Sequence, residues 1–128
     1  MITKYSELFT DINKFIANID FVKSCAKTAS KYNYVKPIIL SSSSSFVKVS
    51  KMRHPIIERI IDYEYVPHDV RLDNKVKGNM IYGVNSSGKT ILMKAIGLNI
   101  ILAQCGLYVP SEYFEYNIFT SIYTRISG

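Results

Sequence analysis

The chain has 128 residues, 48% hydrophobic and 20% charged, with 16 basic against 10 acidic side chains and a formal net charge of +6. That is one domain's worth of sequence, and its near-average apolar fraction excludes a disordered tail. Six glycines and four prolines exclude collagen-like or low-complexity material. The basic residues are scattered from Lys4 to Arg125 without a dense block, which makes the charge weak support for a nucleic-acid contact within this stretch.

The most apolar run, residues 95–103, is broken by Asn99 and is about half the length a bilayer span requires. The N-terminus lacks the continuous apolar core and cleavage site of a secretory signal. Together these predict no membrane span and an intracellular chain. Cys25 and Cys105 lie far apart, with no Cys-x-x-Cys spacing and no histidine cluster, which predicts reduced core thiols rather than a zinc site or a disulfide framework.

In chain order, the first element is a helix. Apolar residues at Leu8, Ile12, Phe15, Ile19, Val22, Ala26 and Ala29 keep a 4-3-4-3-4-3 spacing, a stripe along one helical face. Asp11, Lys14, Asp20, Lys23 and Lys27 fall off the stripe, as expected for a helix packed on one side and wet on the other. Pro37 is the expected stop. A five-serine run, residues 41–45, reads as a loop or linker, with phosphorylation as the sharper alternative. Short β-type runs follow at residues 46–49, 70–72 and 79–82. The sequence therefore predicts a helical arm followed by an α/β domain, with the boundary near residues 35–45.

The third segment carries the chemistry. Met80-Ile81-Tyr82 reads as a strand, Gly83-Val84-Asn85-Ser86-Ser87-Gly88-Lys89-Thr90 follows it, and a helix is expected from about Lys89 to Gln104, ending at Gly106. The string satisfies the phosphate-loop pattern GxxxxGK[ST], in which backbone N–H groups surround phosphate oxygens. Gly83 and Gly88 permit backbone approach that a β-carbon would obstruct. Lys89 supplies a point charge for the outer phosphates, the Thr90 hydroxyl a magnesium ligand, and the helix N-terminus its positive dipole end. By composition alone the four constrained positions arise at roughly one start in thirty thousand. Asn85 either contacts the γ-phosphate or only fixes the turn. Hydrolysis at such a site calls for a further carboxylate at the end of an apolar strand. After Thr90 the only acids are Glu112 and Glu115, and neither follows such a run.

Several strings together resemble the MutS family of DNA mismatch-repair ATPases. Tyr32-Asn33-Tyr34-Val35-Lys36-Pro37 is similar to the family's NYVRP turn, Arg53-His54-Pro55-Ile56-Ile57-Glu58 to RHPVVE, and Tyr65-Val66-Pro67-His68-Asp69-Val70 to FVPNDV. The loop GVNSSGKT stands where the family has GPNMGGKS. Ala103-Gln104-Cys105-Gly106-Leu107-Tyr108-Val109-Pro110 resembles AQIGCFVPA, and residues 122–128 resemble IFTRIGA. The likeness runs unbroken from about residue 17 to residue 128.

The resemblance implies a P-loop NTPase of the ABC ATPase type, here a half-domain over residues 37–128 preceded by a long lever or core helix over residues 1–36. It implies ATP and Mg2+ as cofactors, held by Tyr65, Val66, Gly83, Val84, Asn85, Ser86, Ser87, Gly88, Lys89 and Thr90. Tyr65 would stack on adenine, Val66 would contact the base through its backbone, and Thr90 would ligate the metal. Arg53 and His54 match a segment that packs the ATPase sheet against the lever, and both read as structural. The partners implied are mismatched double-stranded DNA, bound outside this stretch, and a second subunit in a homo- or heterodimer. Val84 replaces the family's proline, Ser86 and Ser87 replace Met-Gly, and His68 stands for Asn. These departures soften the subfamily assignment, and Lys89-Thr90 with Lys94-Ala95-Ile96-Gly97-Leu98 also lean toward divergent branches, either the MutS-like proteins of large DNA viruses and some organelles or the recombination-suppressing MutS paralogues. An unrelated P-loop NTPase and a truncated, non-catalytic nucleotide-binding module stay open as alternatives.

Overall fold

The computed structural model describes residues 5–125. Lys4 and the last three residues of the 122–128 string lie outside them. The elements run α1 (Ser6–Lys31), β1 (Ile38–Ile39), β2 (Val47–Met52), α2 (Ile57–Ile60), β3 (His68–Leu72), α3 (Lys89–Gln104) and β4 (Tyr113–Tyr116). The architecture is mixed α/β.

The end of α1 is set by its own sequence rather than by Pro37. Asn33 adopts a left-handed conformation with φ 53°, and the Tyr34 N–H donates to the Ala29 carbonyl at 2.9 Å. This is the six-to-one bond of a Schellman cap, with asparagine at the position where glycine is more usual. The helix thus stops well before the proline. Its apolar stripe is less buried than its spacing predicts: Leu8, Ile12, Phe15, Ile19 and Val22 are exposed, and Ala29 is the one buried residue of α1. The reason is geometric, because the elements that follow gather at the C-terminal end of the helix.

Strand order is β1-β4-β2-β3, with β1 parallel to β4 and β2 antiparallel to both β4 and β3. Val47 and Val49 of β2 point into the core, as period-two alternation requires. Continued alternation would send Lys51 inward. A register shift between Val49 and Met52 prevents it, so that Met52 is buried and Lys51 faces out. Lys51 pays with a φ of 51°, and the Asp69 carboxylate holds it there by accepting the Lys51 N–H at 2.8 Å.

Val47, Val49, Met52, Val70, Phe114 and Tyr116 from the sheet meet Ala95, Ile100 and Ala103 of α3 in one core. The two alanines let the helix approach the sheet closely. Val35 and Val109 exchange two backbone bonds of 2.9 Å, tying the segment after α1 to the segment after α3.

Two expectations differ from the structure, and the serine run does not. Residues 79–82 are not a strand; Met80 and Tyr82 are almost fully exposed. A strand is defined by a ladder partner, and none of the described strands pairs with this segment. Nor are the two cysteines core thiols, since Cys25 is half-buried and Cys105 exposed. The serine run is a loop, with its Ser42 and Ser44 carbonyls held by the Asn117 amide at 2.9 and 3.2 Å. Among the described residues no helix is long and apolar enough to cross a membrane.

Candidate functional site

Residues 83–88 wind around the side chain of Lys89. The ammonium donates to the Gly83 and Val84 carbonyls, both at 2.6 Å, which leaves one of its three N–H donors uncommitted. Gly88 is the N-cap of α3 with φ 90°, a left-handed conformation that a side chain would strain. A β-carbon at Gly83 would come within 2.8 Å of Ser87 Oγ. Gly88 therefore sits where the backbone itself favours glycine, whereas a β-carbon at Gly83 would require the Ser87 hydroxyl to turn away. Ser86 is left-handed as well, with φ 66°, and a non-glycine residue held there stores about 1–3 kcal/mol. The Ser87 N–H closes the turn on the Val84 carbonyl at 3.3 Å.

The start of α3 has no side-chain cap. Its first N–H groups have no intrahelical partner, and they sit at the positive end of the helix dipole. Asn85, Ser86, Ser87 and Thr90 are all exposed beside them. Such a set of donors fits a phosphate group. Among the described residues no group of three or more His, Cys, Asp or Glu converges to hold a metal. Thr90, exposed in the first turn of α3, is the residue of the predicted set whose side chain could ligate Mg2+.

Tyr65 and Val66 lie in the segment between α2 and β3. Tyr65 is half-buried against the His54 backbone; burial pushes its phenol up, the His54 backbone pulls the other way, and the Glu58 charge adds to the rise. Val66 is exposed. A cleft of about 640 Å³ opens between the sheet and α3, bounded by Val49, Val70, Asn79, Met80, Leu92 and Ile96. It lies under the segment leading to the loop, and none of residues 83–90 lines it.

His54 is 5% exposed, and its Nδ1 accepts the N–H groups of Ile56 and Ile57, both at 3.2 Å, at the start of α2. Burial depresses its basicity, and the nearby Lys94 charge adds to this while Glu58 opposes it. This is the structural role its sequence context suggests. Arg53 reaches further than expected. One guanidinium nitrogen donates to the Tyr32 and Asn33 carbonyls at 3.1 and 3.0 Å, and Nε lies 3.4 Å from the Glu58 carboxylate.

Tyr34 completes the group. Its hydroxyl donates to Glu58 at 2.9 Å and accepts from Arg59 at 2.8 Å, and the Arg59 guanidinium stacks 3.9 Å over the Tyr32 ring. Sequence reasoning missed Tyr34, Glu58, Arg59 and Asn99 as a network. The available signal was Asn99, the polar break in an apolar run. It is fully buried and donates to the Arg53 carbonyl at 3.1 Å and to Ala95 of its own helix at 2.8 Å.

Comparison with known proteins supplies the family. Residues 79–128 match the family described as MutS domain V. Over 97% of its length the chain is 36% identical to a mitochondrial DNA mismatch repair protein, a mutS homolog of Sarcophyton glaucum, and covers 13% of that protein. Over 99% of its length it is 39% identical to the DNA mismatch repair protein MutS of Staphylococcus aureus, of which it covers 14%. The chain thus spans 13–14% of the length of these two relatives. Its collinear match to them over nearly its whole length, together with the domain V match over the phosphate-loop segment, supports a MutS family protein.

Proposed function

We propose that this chain is the nucleotide-binding front part of a DNA mismatch-repair ATPase, a P-loop half-domain over residues 37–128 joined to a lever helix over residues 1–36. The observation that carries the reading is the loop wound on Lys89, with its ammonium 2.6 Å from two loop carbonyls and Gly88 at φ 90° opening α3. In this reading Gly83, Val84, Asn85, Ser86, Ser87 and Gly88 line the phosphates. Lys89 carries the compensating charge and Thr90 holds Mg2+. Tyr65 stacks on adenine and Val66 contacts the base through its backbone. Mg-ATP supplies the free energy of the cycle when bound; the chain's own residues bind and orient it, and α1 passes the change on.

Mismatched double-stranded DNA is bound by parts of the protein outside this stretch. ATP hydrolysis and pairing with a second subunit, identical or not, belong to the whole protein. Support comes from the domain V match, which spans the loop, and from the mismatch-repair names of the relatives.

Titration of the chain with Mg-ATP, beside Lys89→Ala, tests the site. A charge-assisted hydrogen bond is worth about 1.5–3 kcal/mol, so the substitution should weaken binding by roughly ten- to a hundred-fold. Identical titrations would remove the loop from the site.

A further inference from the structure

Arg53 touches four parts of the fold at once. Its N–H donates to the Pro110 carbonyl at 2.8 Å, in the segment leading to β4. Its carbonyl accepts the buried Asn99 amide of α3 at 3.1 Å. Its guanidinium holds the Tyr32 and Asn33 carbonyls, at the C-cap of α1 and one residue beyond it, and pairs with Glu58 of α2. A cation is well placed at a helix C-terminus, where the dipole is negative and the last carbonyls lack partners. The planar fork of arginine meets carbonyls and carboxylate together, which a lysine ammonium on its single stem cannot do in the same geometry. Asn99 lies ten residues into α3 from Lys89, about 15 Å along the helix axis.

We infer that Arg53 is a positioning residue that locks the end of α1 to the buried face of α3, so that a displacement of α3 at the phosphate loop is carried into α1 as a rigid-body movement. The bracing is double. Tyr34, between Glu58 and Arg59, holds α2 against the same helix end, and Arg59 stacks on Tyr32 next to the carbonyls that Arg53 holds. Neither Arg53 nor Asn99 belongs to the nucleotide site itself. The inference rests on the proposed nucleotide reading only for what sets α3 in motion; the lock stands on the contacts.

The test places nitroxide labels on α1 and α3, at Asn13→Cys and Met93→Cys, in a Cys25→Ser, Cys105→Ser background, and measures the inter-label distance distribution by pulsed electron resonance. The parent chain should give one narrow distribution. Arg53→Ala should broaden it about two-fold, because the end of α1 loses its anchor while its own backbone bonds persist. Arg53→Lys should recover part of the narrowness.

Mg-ATP affinity, measured separately, should stay within about three-fold of the parent in Arg53→Ala, whereas the change of distance on adding Mg-ATP should be lost. A distribution as narrow in Arg53→Ala as in the parent, or a broad one in the parent, overturns the inference. Should Arg53→Ala fail to fold by circular dichroism, Glu58→Gln decides: broadening supports the lock and an unchanged width refutes it. Failure of the parent to bind Mg-ATP sinks the nucleotide reading alone, since the widths without nucleotide still judge the lock.

Discussion

Protonation of His54 is expected to weaken the fold in mild acid, with a size that follows from two hydrogen bonds. Its Nδ1 is the acceptor for the Ile56 and Ile57 N–H groups at the head of α2, and an imidazolium has no lone pair to offer there. Both bonds are at the long end of the N–H range and share one lone pair, so they count as a single cap, worth about 1 kcal/mol. Burial, with Lys94 nearby, lowers the folded-state pKa below the ordinary 6.5. The folded state then binds fewer protons than the unfolded chain, and stability rises with pH in this region. The His54 contribution is complete above the unfolded value and is lost as pH falls through the folded one.

His54→Asn keeps a side-chain acceptor without the titration, whereas His54→Ala also empties a buried ring site and should cost about 3 kcal/mol in all. Urea unfolding followed by circular dichroism, at a series of pH values from 8 to 5, is the assay. Wild type should lose stability across that window relative to His54→Asn. Parallel pH profiles for the two proteins would refute the reasoning.

Tyr65→Ala should weaken ATP by about 0.5–1.5 kcal/mol through loss of ring stacking and leave inorganic triphosphate unchanged, as read by titration calorimetry; equal losses for both would deny the adenine contact. Gly88→Ala forces an alanine to φ 90° at the N-cap of α3 and should lower stability by about 1–2 kcal/mol in urea melts, with an unchanged midpoint showing that the loop has another conformation open to it. Tyr34 is pushed up to about 12, chiefly by burial, with the Arg59 bond opposing and Glu58 adding. Its neutral form therefore stabilises the fold fully below the unfolded value near 10 and loses that effect as pH rises toward 12. Tyr65, Tyr113 and Tyr116 are raised as well, so an ultraviolet phenolate titration should show several late-ionising groups, and Tyr34→Phe should remove one of them.

Much of the local structure was legible because it is dictated locally. The stripe of α1, the helix from Lys89 to Gln104 and the β-type runs at β2 and β3 follow from periodicity that a few turns or residues suffice to express. What escaped depends on partners distant in sequence. Residues 79–82 have strand-like composition but no ladder partner among the described strands, and composition cannot report a missing ladder. The bulge that turns Met52 inward depends on Asp69 of β3, a contact between separate strands. The phosphate-loop glycines could be named from the sequence because their spacing reflects backbone geometry. The Arg53 network could not, since Tyr32, Glu58 and Asn99 share no spacing rule, and only the fold brings their atoms to one guanidinium and its peptide group.

The Asn33 cap gives α1 a mechanical meaning. By ending the helix abruptly, two residues past its last turn, it leaves a rod of 26 residues, about 39 Å long, rooted at one end. A rod of that length converts a rotation of about 10° at its root into a displacement of roughly 7 Å at its tip. A helix that frayed gradually into the following segment would dissipate such a rotation in its last turn. In the lever reading proposed above, the sharp stop places the pivot beside the side chains that grip it, and the far end of α1 would amplify small motions at its base.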